Sequence, residues 1–141
     1  MIEIVNETEY KPNVNLLKTV AEYLTDRNIE ITFTNNETIR KINKAQRGID
    51  EPTDVLSFPL EPVPFAPIGE LVISVEYAKK QANLYKNSLD DEIVLLFIHG
   101  LLHLLGYDHE IDDGKMRQKE EELIGYFGLP SSLITRAKGE Y

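Results

Sequence analysis

Three histidines, His99, His103 and His109, share the short run His99-Gly-Leu-Leu-His103-Leu-Leu-Gly-Tyr-Asp-His109, and they are all the histidines of the chain. The first two stand four residues apart in an apolar stretch. A helix advances about 3.6 residues per turn, so both imidazoles fall on one helical face and aim at one point. Gly106 offers the positive φ that ends a helix and turns the chain back, letting His109 reach the same ion. Three neutral nitrogen ligands and no cysteine predict one divalent ion per chain, zinc by the chemistry of the donors, with a fourth position open for water. A lone histidine in a leucine-rich helix is ordinarily a hydrogen-bonded core residue. Three at this spacing, buried without partners, would each cost a few kcal/mol.

The nearest general motif, His-Glu-x-x-His, uses its glutamate as the base of a metallopeptidase, and here Gly100 takes that place. A three-histidine metal nevertheless lowers the pKa of a bound water to about 7, which supplies a nucleophile without a neighbouring carboxylate. Asp108, beside the third histidine, either orients an imidazole, caps the turn around Gly106, or completes a closed site in which zinc is only a structural pin.

These residues need a scaffold. Ile2 to Val5 reads as a strand, and Val14, Leu17, Val20, Ala21 and Leu24 follow helical spacing after Pro12. Ile29 to Thr34 alternates as a half-buried strand, and Thr34-Asn-Asn-Glu37 is a capping box that launches a helix through Ile39 and Ile42. Thr53 to Phe58 is a strand closed by Pro59, Pro62, Pro64 and Pro67 mark an irregular loop, and Ile68 to Val75 is a β-branched strand followed by a helix with Tyr77, Ala78, Gln81 and Leu84. Ser88-Leu-Asp-Asp91 caps the histidine helix, whose apolar residues surround nearly its whole circumference and so place it at the centre of the molecule. Beyond it, Asp112 or Asp113 caps a helix through Met116, Glu120, Leu123 and Ile124 that ends near Gly128, and Pro130 starts a last short one. Strands followed by helices predict a layered fold around one small sheet.

The 141 residues suit one domain, 1–141. No apolar run spans a bilayer, the N-terminus lacks the features of a signal peptide, and the absence of cysteine fits a cytoplasmic protein. A net charge of -9 opposes a nucleic-acid partner at first sight. The distribution softens that: acids crowd the C-terminal third, whereas Arg40, Lys44 and Arg47 fall at i, i+4 and i+7 and make one basic stripe able to meet phosphates, unless it is merely a solvated helix face. If the stripe meets a polyanion, it belongs on the rim of the metal cleft, with the acidic C-terminal helix turned away.

The histidine run closely resembles the signature of the YbeY family of metal-dependent endoribonucleases, the rRNA maturation factors. Asn43 and Arg47, Pro52-Thr-Asp-Val-Leu-Ser-Phe-Pro59, Ile68-Gly-Glu-Leu-Val-Ile-Ser74, and Met116 with Glu120 to Glu122 follow in that family's order, so the resemblance covers roughly residues 35 to 125. Glu70 stands where the family more usually has aspartate. The resemblance implies an α+β fold, a small mixed four-stranded sheet with about five helices, and a zinc ion on His99, His103 and His109. It also implies cleavage of single-stranded RNA in small-subunit rRNA 3′-end processing and ribosome quality control, with ribosomal RNA and the small ribosomal subunit as partners.

In such an enzyme Arg47 can grip a phosphate by paired hydrogen bonds while charge develops on it, and Arg40, Lys44 and Ser57 are further substrate-binding candidates. The Ser57 hydroxyl, at a strand end, serves either substrate or neighbouring backbone. Two rivals remain. A metallopeptidase needs a carboxylate brought to the metal, Glu70 for example, and a zinc-pinned binding module needs a fourth protein ligand such as Asp108.

Overall fold

Ile29, Ile31 and Phe33 are buried while the intervening Glu30 and Thr32 are only partly so, which is the period-two signature of a strand with one face against a core. The computed structural model describes residues 2–61, 63, 66–108 and 111–130. Within them the chain forms β1 (Ile2–Asn6), α1 (Val14–Leu24), β2 (Ile29–Thr34), α2 (Asn36–Arg47), β3 (Val55–Pro59), β4 (Gly69–Ser74), α3 (Val75–Tyr85), α4 (Leu89–Leu104) and α5 (Lys115–Phe127). The sheet order is β1-β2-β4-β3, with the first three strands parallel and β3 antiparallel on the edge. Five helices on a mixed four-stranded sheet make the expected α+β fold. No described helix is long and apolar enough to cross a membrane.

The strand alternation sorts the helices onto two faces. Ile29, Ile31, Phe33, Leu71 and Ile73 join the main core with residues of α1, α3, α4 and α5. Leu56 and Val72 point the other way and meet Ile39 of α2, with Ile42 and Phe58 packed around them. α2 therefore covers one face by itself, and the other four helices share the opposite face. Among those four, α4 packs against α1, α3, α5, β3 and β4. Its residues Ile93 to Ile98 and Gly100 to Leu102 are buried, apart from the partly exposed His99 between them, as the all-round apolar pattern predicts.

Two helix starts differ from expectation. Asn35, not Thr34, caps α2, accepting from the Thr38 amide at 2.9 Å. β2 runs one residue further than a capping box at Thr34 allows, and the Thr34 hydroxyl ends buried among neighbours that offer it no hydrogen bond. α5 begins after Gly114, but the Asp112 carboxylate accepts from the Gly114 and Met116 amides at 3.1 and 2.9 Å and does a cap's work from the preceding turn. Ser88 caps α4 as predicted, holding the Asp91 amide at 3.1 Å. The short helix expected from Pro130 lies outside the described residues.

Candidate metal centre

α4 ends in a turn that builds part of the site. The Tyr107 amide reaches back to the Leu102 carbonyl at 3.0 Å and the Gly106 amide to the His103 carbonyl at 3.0 Å, a Schellman closure that needs the positive φ of 99° at Gly106. The same turn lays the Tyr107 carbonyl 3.1 Å from His103 Nδ1. A carbonyl only accepts, so Nδ1 carries the proton and Nε2 is the nitrogen His103 presents for coordination.

His99 is oriented by a different device. Its Nδ1 lies 3.0 Å from Oε2 of Glu120, a residue of α5 whose side chain is 1% exposed. The Glu120 carboxylate holds the proton on Nδ1, so His99 too presents Nε2. The two rings stand edge to face with centroids 4.9 Å apart, as one turn of helix dictates. This arrangement fits a metal: in known sites the ligating imidazole typically gives its other N–H to a carboxylate or backbone carbonyl, and this pair shows one of each. His109, the third predicted ligand, lies outside the described residues, and among the described ones no group of three metal-binding side chains forms.

Gly100 explains why no glutamate follows the first histidine. A Cβ built on it would sit 2.7 Å from Leu71 Cδ2, 3.1 Å from Ser57 Oγ and 3.2 Å from Val55 Cγ2. That flank of α4 presses on the sheet and has no room for a base. Ser57, facing the same way, donates to the Gly100 carbonyl at 3.1 Å and ties edge strand β3 to α4 beside His99. Glu70 alternates with Leu71 and so faces away from α4, together with Val72 on the α2 side. Asp108 lends its carbonyl to the Ile111 amide at 3.2 Å.

The basic stripe is helical, but Arg40 and Lys44 ride on the helix that covers the opposite face of the sheet from α4. Both point to Asp50, at 2.8 and 3.9 Å, in an exposed cluster. The Arg40 guanidinium holds the Asp50 carboxyl below the usual carboxylate range, with a smaller contribution from Lys44. Arg47, at the exposed C-terminal turn of the same helix, makes no hydrogen bond or ion pair among the described residues.

The acidic helix is not turned away as expected, because Glu120 enters the site from it; Glu121 and Glu122 stay outside and pair with Arg117 and Lys119. Sequence reasoning did not assign Glu120, although its place between Met116 and Leu123 on the inward face of α5 marked it. It also passed over Asp54, whose enclosed carboxyl accepts from the Val55 amide at 2.7 Å and the Thr53 hydroxyl at 3.3 Å. Burial pushes that carboxyl upward, and the Val55 amide, the nearby His99 and Thr53 oppose the shift.

The family model described as Endoribonuclease YbeY matches residues 3–128. A protein of Nautilia profundicola named Endoribonuclease YbeY is 54% identical over 136 residues, covering 96% of this chain and 98% of that relative. One of the same name from Helicobacter pylori is 52% identical over 139 residues, covering 98% and 99%. The solution structure of TM1509 from Thermotoga maritima superimposes with a TM-score of 0.57 at 29% identity, over 90% of this chain and 91% of that one.

Proposed function

This chain belongs to the Endoribonuclease YbeY family, and from that premise we propose that it is a zinc-dependent endoribonuclease specific for single-stranded RNA. Its work is then the maturation of ribosomal RNA at the 3′ end of the small-subunit rRNA, together with ribosome quality control. Its partners are ribosomal RNA and the small ribosomal subunit, and its place is the cytoplasm. The observation that carries the metal reading is the commitment of Nδ1 on His99 to Glu120 and on His103 to the Tyr107 carbonyl. His109 is the third ligand.

A divalent cation held there supplies Lewis acidity and a water acidified towards neutral pH. The protein's own groups do the rest. Arg47 is the phosphate donor of choice, because Arg40 and Lys44 already answer to Asp50 while its planar fork is uncommitted among the described residues. Ser57 holds α4 against β3, so it positions the histidines through the Gly100 carbonyl. Three positions that could supply a peptidase base do not: Gly100 excludes one by contact, Glu70 faces the other side of the sheet, and Glu120 sits behind the His99 ring.

Incubation of the zinc-loaded protein with short single-stranded RNA and, separately, with casein tests this reading. RNA should be cut and casein left whole, His103→Ala should lose both metal and cleavage, and Arg47→Ala should lower the single-turnover rate by about a hundredfold with metal retained and RNA affinity little changed. Cleavage of casein, or full zinc content in His103→Ala, would overturn it.

A further inference from the structure

α5 turns Met116, Glu120 and Leu123 inward at i, i+4 and i+7, and all three are fully buried. Packing alone would put an apolar residue at the middle position. A carboxylate taken out of water is stable there only against donors, and one of them is the Nδ1 of His99, 21 residues earlier on another helix, at 3.0 Å. The two histidines are thus held unequally. His103 leans on a neutral carbonyl of its own turn, local to α4 and present whenever that helix ends at Gly106. His99 leans on a charge-assisted bond that exists only when α5 is docked.

We propose that Glu120 is a positioning residue for the metal centre: it fixes His99 as the Nδ1–H tautomer, strengthens Nε2 as a donor, and thereby couples metal loading to the docking of α5. This rests on the three-histidine reading above. A carboxylate behind an imidazole raises its basicity as a ligand, and removal of such a partner typically weakens metal affinity ten- to a hundredfold. The coupling also runs backwards. Metal bound by Nε2 stabilises the tautomer that Glu120 needs, so zinc should protect the amides of α5 from hydrogen exchange as well as those of α4.

The test uses the metal-free full chain and zinc alone, in competition with a chromophoric chelator, for wild type, Glu120→Gln and Glu120→Leu. Glutamine keeps an acceptor of nearly the same shape, so it should lose roughly tenfold in affinity, and leucine, apolar and of similar bulk, closer to a hundredfold. Imidazole 15N spectra of the metal-free proteins supply a signature that a packing role would not move. Wild type should show His99 protonated on Nδ1, Glu120→Gln should largely keep that state, and Glu120→Leu should shift towards the Nε2–H tautomer. Melting of the metal-free variants confirms that each is folded, and glutamine secures the comparison if leucine unfolds. Wild-type protein that binds no zinc overturns the three-histidine reading and this inference with it. Equal zinc affinity and an unchanged tautomer across the folded variants overturn this inference alone.

Discussion

The two faces of the sheet are made by the same four strands and are built to different standards. On the α4 side, Val55, Ser57, Gly69, Leu71 and Ile73 meet a helix so close that a Cβ on Gly100 would strike Leu71, and one on Gly69 would strike the Leu104 side chain. On the α2 side a small cluster of Ile39, Leu56 and Val72 covers part of the surface, and beyond it Glu3, Glu30 and Glu70 lie side by side in register across three strands. The lesson concerns precision. The two imidazoles proposed to share one ion sit on the face where close packing holds the backbone, while Arg40 and Lys44 of α2 pair with Asp50 in solvent, where little depends on a fraction of an ångström.

The largest effect expected from this contrast comes from one substitution made at two helical glycines. Gly125 of α5 has open space around its would-be Cβ, so Gly125→Ala should stabilise by up to about 1 kcal/mol through helix propensity. Gly100→Ala gains the same propensity but must push Leu71, Ser57 and Val55 aside, and overpacking of this kind costs about 1–3 kcal/mol. The difference between the two variants in urea unfolding should therefore be about 1–3 kcal/mol. It isolates the pressure of α4 on the sheet. Zinc affinity should fall in Gly100→Ala only, since moving α4 moves His99 and His103 together. Equal stability of the two variants would mean that the two faces are packed alike.

Asp54 stands immediately before edge strand β3, and its effect should be smaller. Burial raises its carboxyl pKa in the folded state, so the unfolded chain releases this proton at lower pH than the native protein does. Stability from this group falls as pH rises from the ordinary aspartate range through the raised value, and stays reduced above it. Asp54→Asn keeps an oxygen for the Val55 amide and removes the titration. In the metal-free protein it should melt higher than wild type at pH 7 and converge with it in acid. A variant that melts lower at pH 7 and tracks wild type at every pH would show that the enclosed carboxyl carries no such penalty.

What could be read in advance follows the range of the interactions. The placement of His99 and His103 on one helical face, the Ser88 cap, the positive φ at Gly106 and the central position of α4 all rest on spacings of a few residues, and each is found as expected. The side of the sheet taken by α2 is not a local property. It depends on β3 pairing antiparallel to β4 so that Leu56 and Val72 share a face with Ile39 of α2, and Arg40 and Lys44 consequently ride on the α2 layer, paired with Asp50. Glu120 gave a local hint, a charge on an inward helical face, but its partner belongs to another helix. The choice between Thr34 and Asn35 as cap turned on where β2 stops, which its pairing with β4 decides.

The smallest effect tests the loosely built side. Glu30 is flanked in register by Glu3 and Glu70 on neighbouring parallel strands, which stand about 4.8 Å apart. Like charges directly opposite each other destabilise a sheet by a few tenths to about 1 kcal/mol, and threonine suits a half-buried strand better than glutamate. Glu30→Thr should therefore stabilise the protein by about 0.5–1 kcal/mol at low salt. Because part of that gain is relief of repulsion, it should shrink in about 1 M salt, where the screening length drops to about 3 Å. Zinc affinity and the RNA cleavage rate should stay at the wild-type level, because Glu30 shares its face with Glu70 and Val72 and not with the histidines. A stabilisation independent of salt would assign the effect to strand propensity alone; a loss of zinc affinity would show that the two faces are mechanically coupled through β2 and β4, and the separation drawn between them would fail.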